Sequence, residues 1–454
     1  MSSYKNEILA NNNELQNILT KIDELPAPIN GLIEEYKVAA GENISAGDFV
    51  SFLTPDHNNL TYTSISTGSC LGMSAIQLDD TRVLVINSSY SSSYGTRVHI
   101  LTINGTSITV TNTTKLSSSY YSDWSSIARI SEDKFLVFFH NPTLSSYEDY
   151  AWYTIMTLNG TSVTCSTSVR TNCIVRGPRG KLIKMTDTSY VLLHVGGANS
   201  TLYGTVFNVS GTTVTAGTST ALSYYFTHCA VKLDNNRLLV FSDTSNSDYL
   251  LYGYVCTISG TTITKGTTTQ LSTTKHSGRY PTAVKLAENK VFIAHNGDED
   301  HSTLHGTILT VSGTTITVNT ITELLTGTVG LQNNSKNSYA VSSNEVVVVI
   351  INGNTTSSVS TTVQYVVVNI VENKMSVKEK GYIDKTVGHA TDEIIITYID
   401  GKLLINYNEI STGALYGSVY VVEPTLMSYT GSIAGIANQS GSGGDTIQVY
   451  VPQP

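Results

Sequence analysis

The sequence predicts an all-β protein, and three observations carry that prediction. Charged residues are only 13% of the 454, about half the ~25% usual in globular domains; Ser, Thr, Asn and Gly take their place. The aromatic content is dominated by 27 Tyr against 9 Phe, and Tyr with β-branched residues favours strands. The third observation is a recurring heptapeptide: Ile103-Asn-Gly-Thr-Ser-Ile-Thr109, Leu158-Asn-Gly-Thr-Ser-Val-Thr164, Val209-Ser-Gly-Thr-Thr-Val-Thr215, Ile258-Ser-Gly-Thr-Thr-Ile-Thr264 and Val311-Ser-Gly-Thr-Thr-Ile-Thr317.

The glycines of these heptapeptides, Gly105, Gly160, Gly211, Gly260 and Gly313, stand 55, 51, 49 and 53 residues apart. Asn-Gly or Ser-Gly between alternating Thr/Val/Ile runs is a tight hairpin, because glycine accepts the positive φ that such turns demand. A second hairpin precedes each one, as in Ala75-Ile-Gln-Leu-Asp-Asp-Thr-Arg82 and Ala128-Arg-Ile-Ser-Glu-Asp-Lys134. Ala230-Val-Lys-Leu-Asp-Asn-Asn-Arg237 and Ala283-Val-Lys-Leu-Ala-Glu-Asn-Lys290 repeat it. Four antiparallel strands repeated at about fifty residues describe a β-propeller blade. The first-hairpin turns fall at Asp80, Asp133, Asp187, Asn235, Asn289, Asn344 and Asp400, which predicts seven blades.

The last two repeats depart from the pattern. Blade 6 has Val371-Glu-Asn-Lys-Met375 where the others have Ser-Gly-Thr-Thr, and blade 7 ends after its third strand at Tyr416-Gly-Ser-Val-Tyr-Val-Val422. The unpaired run Leu60-Thr-Tyr-Thr-Ser-Ile-Ser66 is expected to supply the missing outer strand and close the ring, leaving no open sheet edge at the seam.

With strands labelled A (innermost) to D, this topology sorts the connections into two faces. The A–B and C–D turns share a face of short, uniform turns. The B–C loops and D-to-A crossovers share the other, which is long, irregular and aromatic. It contains Ser88–Tyr94, Ser117–Trp124, Ser145–Tyr150, Ser223–Phe226, Ser245–Tyr249 and Thr274–Tyr280. Tyrosine offers contact area at low entropic cost, and aromatic rings stack on the apolar faces of sugars while Ser, Asn and Asp meet hydroxyls. The candidate binding residues are therefore Tyr120, Tyr121, Trp124, Tyr147, Tyr150, Tyr224, Tyr225, Tyr249, Arg279 and Tyr280. Trp152 lies within a strand and is expected in the core.

Four segments follow: 1–30, 31–57, 58–424 as the propeller, and 425–454. Ile8, Leu15, Ile18, Ile22 and Leu25, with Asn11, form heptad positions of a helix stopped by Pro26 and Pro28. Under three heptads is too short to stand alone in water, so the seam is expected to be buried against copies of itself or a larger assembly, a trimer in preference to a dimer, with Asn11 setting register; a helix packed on its own chain is the alternative. Val38–Val50 and Ile433–Val451 each carry Gly-Asp followed by alternating apolar residues, and are expected to pair as one small split β-domain.

Several functions are excluded or unsupported. A net charge of −9 opposes nucleic-acid binding, which needs a clustered positive field. No run approaches the ~18 apolar residues of a membrane span, and Met1–Asn12 lacks an apolar signal core. Five scattered cysteines without CxxC point to reduced core residues made in a cytosol, with no disulfide frame or metal site. Asp298-Glu-Asp300 beside His295, His301 and His305 is expected to be a solvated acidic loop; a bound cation is the alternative. Asp123, Glu148 and Asp149 lie on the aromatic face, but nothing distinguishes an acid from a nucleophile. The expectation is a protein without cofactor that is not an enzyme.

The Ser-Gly-Thr-Thr-Ile-Thr repeats, the opening Asn12-Asn-Glu-Leu-Gln16 helix and the closing Gly435-Ile-Ala437 and Gly444-Asp-Thr-Ile-Gln-Val449 resemble tail-fibre and receptor-binding proteins of phages and phage-tail-like particles of Gram-positive bacteria. The resemblance covers the termini and the repeat style. It implies a homotrimeric adhesin at the tail tip or baseplate of a virion, made in the host cytoplasm, that meets other virion proteins through its N-terminal segment and binds a cell-surface polysaccharide. The rivals are a structural virion protein whose propeller docks other subunits, and an enzyme that trims the surface polymer.

Overall fold

A computed structural model of the chain describes residues 62–421 except 67–69, 71, 89–94, 117–123, 141–148, 176–179, 198–200, 225–227, 244–249, 273–279, 298–302, 328, 332–335, 353–361, 385–393 and 409–413. Beyond these limits it describes only the strands at 33–37, 43–44, 49–53, 425–428, 435–437, 441–442 and 446–450. The chain divides into two compact units, His57–Val422 and the pair Met1–Asp56 with Glu423–Pro454. The N-terminal heptad positions lie outside the described residues.

The larger unit is a seven-bladed β-propeller. Blade 1 runs Gly72–Gln77, Arg82–Ser88, Arg97–Asn104 and Ser107–Lys115 as strands A to D, each antiparallel to the next. Blades 2 to 6 repeat that order, beginning at Ser125, Lys181, His228, Thr282 and Ser338. Blade 7 is made of Ile394–Ile399, Lys402–Asn408, Leu415–Val421 and, from the other end of the propeller, Tyr62–Ser66. The register Ser418↔Tyr62, Gly417↔Thr63, Tyr416↔Ser64 and Leu415↔Ser66 closes the ring as the sequence predicts.

Among the described residues, an apolar cluster fills each gap between neighbouring blades, including the gap between blades 7 and 1, which holds Ile65, Val85, Ile108, Leu404 and Leu415. Each B strand is therefore buried on both faces. That explains unbroken apolar runs such as Val83-Leu-Val-Ile86 and Phe135-Leu-Val-Phe-Phe139 in place of alternation. The outer D strands alternate, as in Ser107–Lys115, because only one of their faces meets a neighbour.

The heptapeptide does two jobs. Its glycine has φ near +60° and the residue after it does not have positive φ, the type II′ pattern. Blade 6 makes the equivalent turn with Glu372 (φ 48) and Asn373 (φ 68), the type I′ pattern, and so keeps a full D strand, Lys374–Asp384, despite its divergent sequence. The following Ile or Val then packs across the blade gap. A Cβ added at Gly417 of blade 7 would stand 3.0 Å from Ile108 Cδ1 of blade 1, and one at Gly306 of blade 5 would stand 3.0 Å from Met375 Sδ of blade 6. These C-strand glycines leave the space into which the next blade's hairpin inserts.

Polar contacts stitch the turn face. Arg129, Lys232 and Lys285 occupy one register at the end of strand A, and each donates to a main-chain carbonyl of the preceding blade: Gln77 and Leu78, Met185, and Leu233. In the Asp-x-x-Arg turns, Arg82 and Arg237 bond to Asp79 and Asp234 at 2.7 Å and reach the Gly160 and Gly313 carbonyls of the next blade. Burial would raise the Asp79 carboxyl pKa, but hydrogen bonds from the Thr81 amide and from Arg82 outweigh it and hold the group below its ordinary value.

In the smaller unit, Ile33–Lys37, Phe49–Leu53, Thr425–Ser428, Gly435–Ala437 and Thr446–Tyr450 form one sheet, with strands from the two chain ends paired antiparallel. Asn43–Ile44 pairs with Gly441–Ser442. The cysteines are unpaired with one another. Four are buried and Cys165 is exposed, which corrects the expectation that all were core residues.

Candidate functional site

The face opposite the short turns is where B strands end and A strands begin. The B-strand ends carry buried polar residues at two successive levels. Asn87, His194, Ser242 and His295 form the first, and Ser88, His140, Asp243, Asn296 and Asn408 the second. Two members of the second level reach the next blade. Asn296 Oδ1 accepts from the Leu331 amide at 2.9 Å, and Asn408 Nδ2 donates to the Cys70 carbonyl at 2.8 Å. Each pins the chain as it enters the next A strand, so the connectors of this face rise from fixed points.

The histidines beneath this face are structural. His194 Nδ1 donates to the Ile174 carbonyl at 2.9 Å, which leaves Nε2 to accept from Thr205 at 3.1 Å; Ser219 adds 2.8 Å to Thr205. His99 bridges Asn87 at 2.8 Å and Thr113 at 3.0 Å. Burial lowers both imidazoles to a pKa of about 4, with the Arg97 charge contributing at His99. Both rings are neutral at pH 7. His295 bonds the Asn296 carbonyl and Thr307, while His305 faces Glu323 at 3.9 Å. No group of three metal-binding side chains occurs among the described residues; Asp298–Asp300 and His301 lie outside them.

The predicted binding residues fall into three groups. Tyr120, Tyr121, Tyr147, Tyr225, Tyr249 and Arg279 lie outside the described residues, as do the side chain of Tyr224 and those of Asp123, Glu148 and Asp149. Trp124 is described and corrects its assignment: only 2% exposed, it packs between blades 2 and 3. A Cβ at Gly180 would come within 2.4 Å of its ring, so the indole lies directly on the backbone of blade 3. Tyr280 is half-buried against the cluster between blades 5 and 6, with φ +55°. Tyr150 belongs to strand C of blade 2, half-buried, with the exposed Arg170 guanidinium 4.7 Å over its ring. Trp152 is half-buried beside the cluster between blades 1 and 2.

Two residues escaped the sequence reading. Arg170 sits on the second half of an outer strand that breaks and resumes (Ser162–Cys165, then Val169–Val175), and nothing local marks it as the partner of Tyr150. Lys336 lies two residues before strand A of blade 6, in an isolated parallel bridge to Ile395 of blade 7, and nothing in the local sequence marks that bridge.

No family model matches the sequence, and no curated protein does. Among solved structures the chain is similar to a mutant of AofleA from Arthrobotrys oligospora, at 13% identity and TM-score 0.45, covering 74% of this chain and 91% of that one. It is also similar to a mutant of the NanB sialidase of Streptococcus pneumoniae, at 13% identity and TM-score 0.40, covering 82% and 70%. A protein described as a 6-phosphogluconolactonase from Bacteroides uniformis gives 13% identity and TM-score 0.47, covering 77% and 100%. At these identities the likeness concerns the fold alone. The expectation that the protein is not an enzyme is withdrawn, because a propeller fold by itself gives no ground for setting catalysis aside. No helix among the described residues is long and apolar enough to cross a membrane.

Proposed function

We propose that the protein is a receptor-binding protein of a phage or phage-tail-like particle, and that its connector face binds a bacterial cell-surface polymer, a carbohydrate. The observation that carries the reading is the asymmetry of the two faces. On one side, two-residue turns such as Gly160-Thr161 and Gly313-Thr314 are held by bonds from Arg82 and Arg237 of the preceding blade. On the other, connectors of variable length rise from buried polar anchors. Variable loops on a rigid scaffold are the usual arrangement of a binding surface.

Copies joined through the N-terminal heptads would bind multivalently, since linking weak sites raises overall avidity without new contacts. Mass measurement of the protein with and without residues 1–30 tests that assembly: loss of the oligomer on truncation is expected. Co-sedimentation of the full-length protein with wall fractions of Gram-positive bacteria tests the binding. Tyr120→Ala with Tyr121→Ala is expected to abolish binding while the melting temperature holds. Intact wall binding with lost particle assembly would favour the structural virion protein, and release of reducing sugar from the walls would favour an enzyme.

A further inference from the structure

The seven B strands align at one register through the strand-C residue they pair with, which is Gly417 in blade 7 and Gly204, Gly253 and Gly306 in blades 3 to 5. In blades 1 to 6 the paired B-strand residue is Ile86, Phe138, Leu193, Phe241, Ala294 and Val349, each apolar and fully buried in the gap to the next blade. Blade 7 has Asn406 there, equally buried. Its Oδ1 stands 3.3 Å from the position a Cβ would take on Gly417, and Ile65 Cδ1 and Ile108 Cδ1 each stand 3.0 Å from the same point. The amide therefore lies among apolar side chains of the gap between blades 7 and 1. Neither its Oδ1 nor its Nδ2 is hydrogen-bonded among the described residues. An amide buried in that way weakens the packing around it.

The same gap is closed by the outer strand that blade 7 does not supply itself. In blades 1 to 6 a two-residue turn ties strand D to strand C, so a separated D strand stays within reach. Tyr62–Ser66 has no such tether to Leu415–Val421, and its release frees chain entropy that no short loop withholds. It is five residues long, against nine, twelve and eleven for the unbroken outer strands of blades 1, 5 and 6. Its register also shifts between Leu415 and Tyr416. Of its described side chains only Ile65 is buried, and Ile65 shares its space with the Asn406 amide.

We propose that Tyr62–Ser66 is a releasable latch: closed in the resting protein, it detaches from blade 7 and opens the gap to blade 1 while blades 2 to 6 stay folded. Asn406 sets the ease of that release. Opening of the ring is then a local event of lower free energy than unfolding, as cooperative units within one fold allow. The latch is the first strand of the propeller in chain order, so a load on residues 1–56 reaches the propeller at this strand. The inference concerns the ring alone and does not rest on the ligand proposed for the connector face.

Buried thiols report the opening. Cys70, 1% exposed, lies in the gap between blades 7 and 1, whereas Cys229 and Cys256, 5% and 1% exposed, lie in the gaps on either side of blade 4. Iodoacetamide labelling of the full-length protein under native conditions, followed residue by residue by mass spectrometry, is expected to modify Cys70 about tenfold or more faster than Cys229 and Cys256. Asn406→Leu keeps the side chain's shape and removes its amide; it is expected to slow Cys70 about tenfold and leave the other two rates unchanged. Ile65→Ala is expected to quicken Cys70 by about tenfold or more. Labelling of Cys70 no faster than Cys229 and Cys256 in the wild type, or at an unchanged or higher rate in Asn406→Leu, would overturn the proposal. Should Asn406→Leu fail to fold, Ile65→Ala decides beside the wild type, and an unchanged Cys70 rate overturns the latch.

Discussion

Ring closure by the N-terminal strand is open to a direct test at Ile65. This residue lies in Tyr62–Ser66, the outer strand of blade 7, and is 7% exposed in the cluster between blades 7 and 1. Its Cδ1 lies 3.0 Å from the position a Cβ would take on Gly417, as does Ile108 Cδ1 of blade 1. Ile65→Ala removes the contact that holds the last sheet against the first. Truncating a well-packed isoleucine costs about 2–5 kcal/mol, because the cavity collapses only partly. At about 2–4 °C per kcal/mol for a large domain, the melting temperature is expected to fall by roughly 4–20 °C. Circular dichroism melts at matched concentration measure it. Val169→Ala is the control, since Val169 is 44% exposed on the outer strand of blade 2, and an exposed change of that kind stays within about 0.5 kcal/mol. Equal melting of the two variants would refute closure by residues 62–66.

Other consequences follow from particular contacts. His99 and His194 are neutral when folded, with pKa values of about 4 against 6.5 when unfolded. The unfolded chain therefore takes up protons first as pH falls below 6.5, and stability is lost between 6.5 and 4, by up to about 3 kcal/mol for each ring. Urea midpoints across that range should fall, and His194→Gln should flatten the decline. Trp124→Ala is expected to cost about 3–5 kcal/mol, read as a lower melting temperature. A selective loss of ligand binding with unchanged melting would contradict its packing role. Arg237→Ala removes the bonds to Asp234 and to the Gly313 carbonyl and is expected to cost about 1 kcal/mol, measured as a shift in urea midpoint.

The sequence carried the blade architecture because it is written in short-range signals. Hairpin glycines, apolar B strands and a fixed period each concern residues within one repeat. Even ring closure was legible, since blade 7 lacks an outer strand and Leu60–Ser66 has no partner of its own. What stayed hidden arises between repeats. Trp124 looked like one more aromatic in a Ser/Tyr-rich crossover, and its burial depends on Gly180, which stands 56 residues further on. Tyr150 appeared to end a loop but extends strand C, where Arg170 covers it. Glu372-Asn373 looked degenerate yet forms the turn through two positive φ values. Asn406 became visible only when the B strands of all blades were set at one register.

The most direct test of the working face is hydrogen–deuterium exchange of the full-length protein with and without Gram-positive wall polysaccharide. Protection is expected in peptides joining strands B to C and D to A, with none in the two-residue turns around Gly160, Gly211 and Gly313. Protection confined to those turns, or to the sheet built from the two chain ends, would contradict the account.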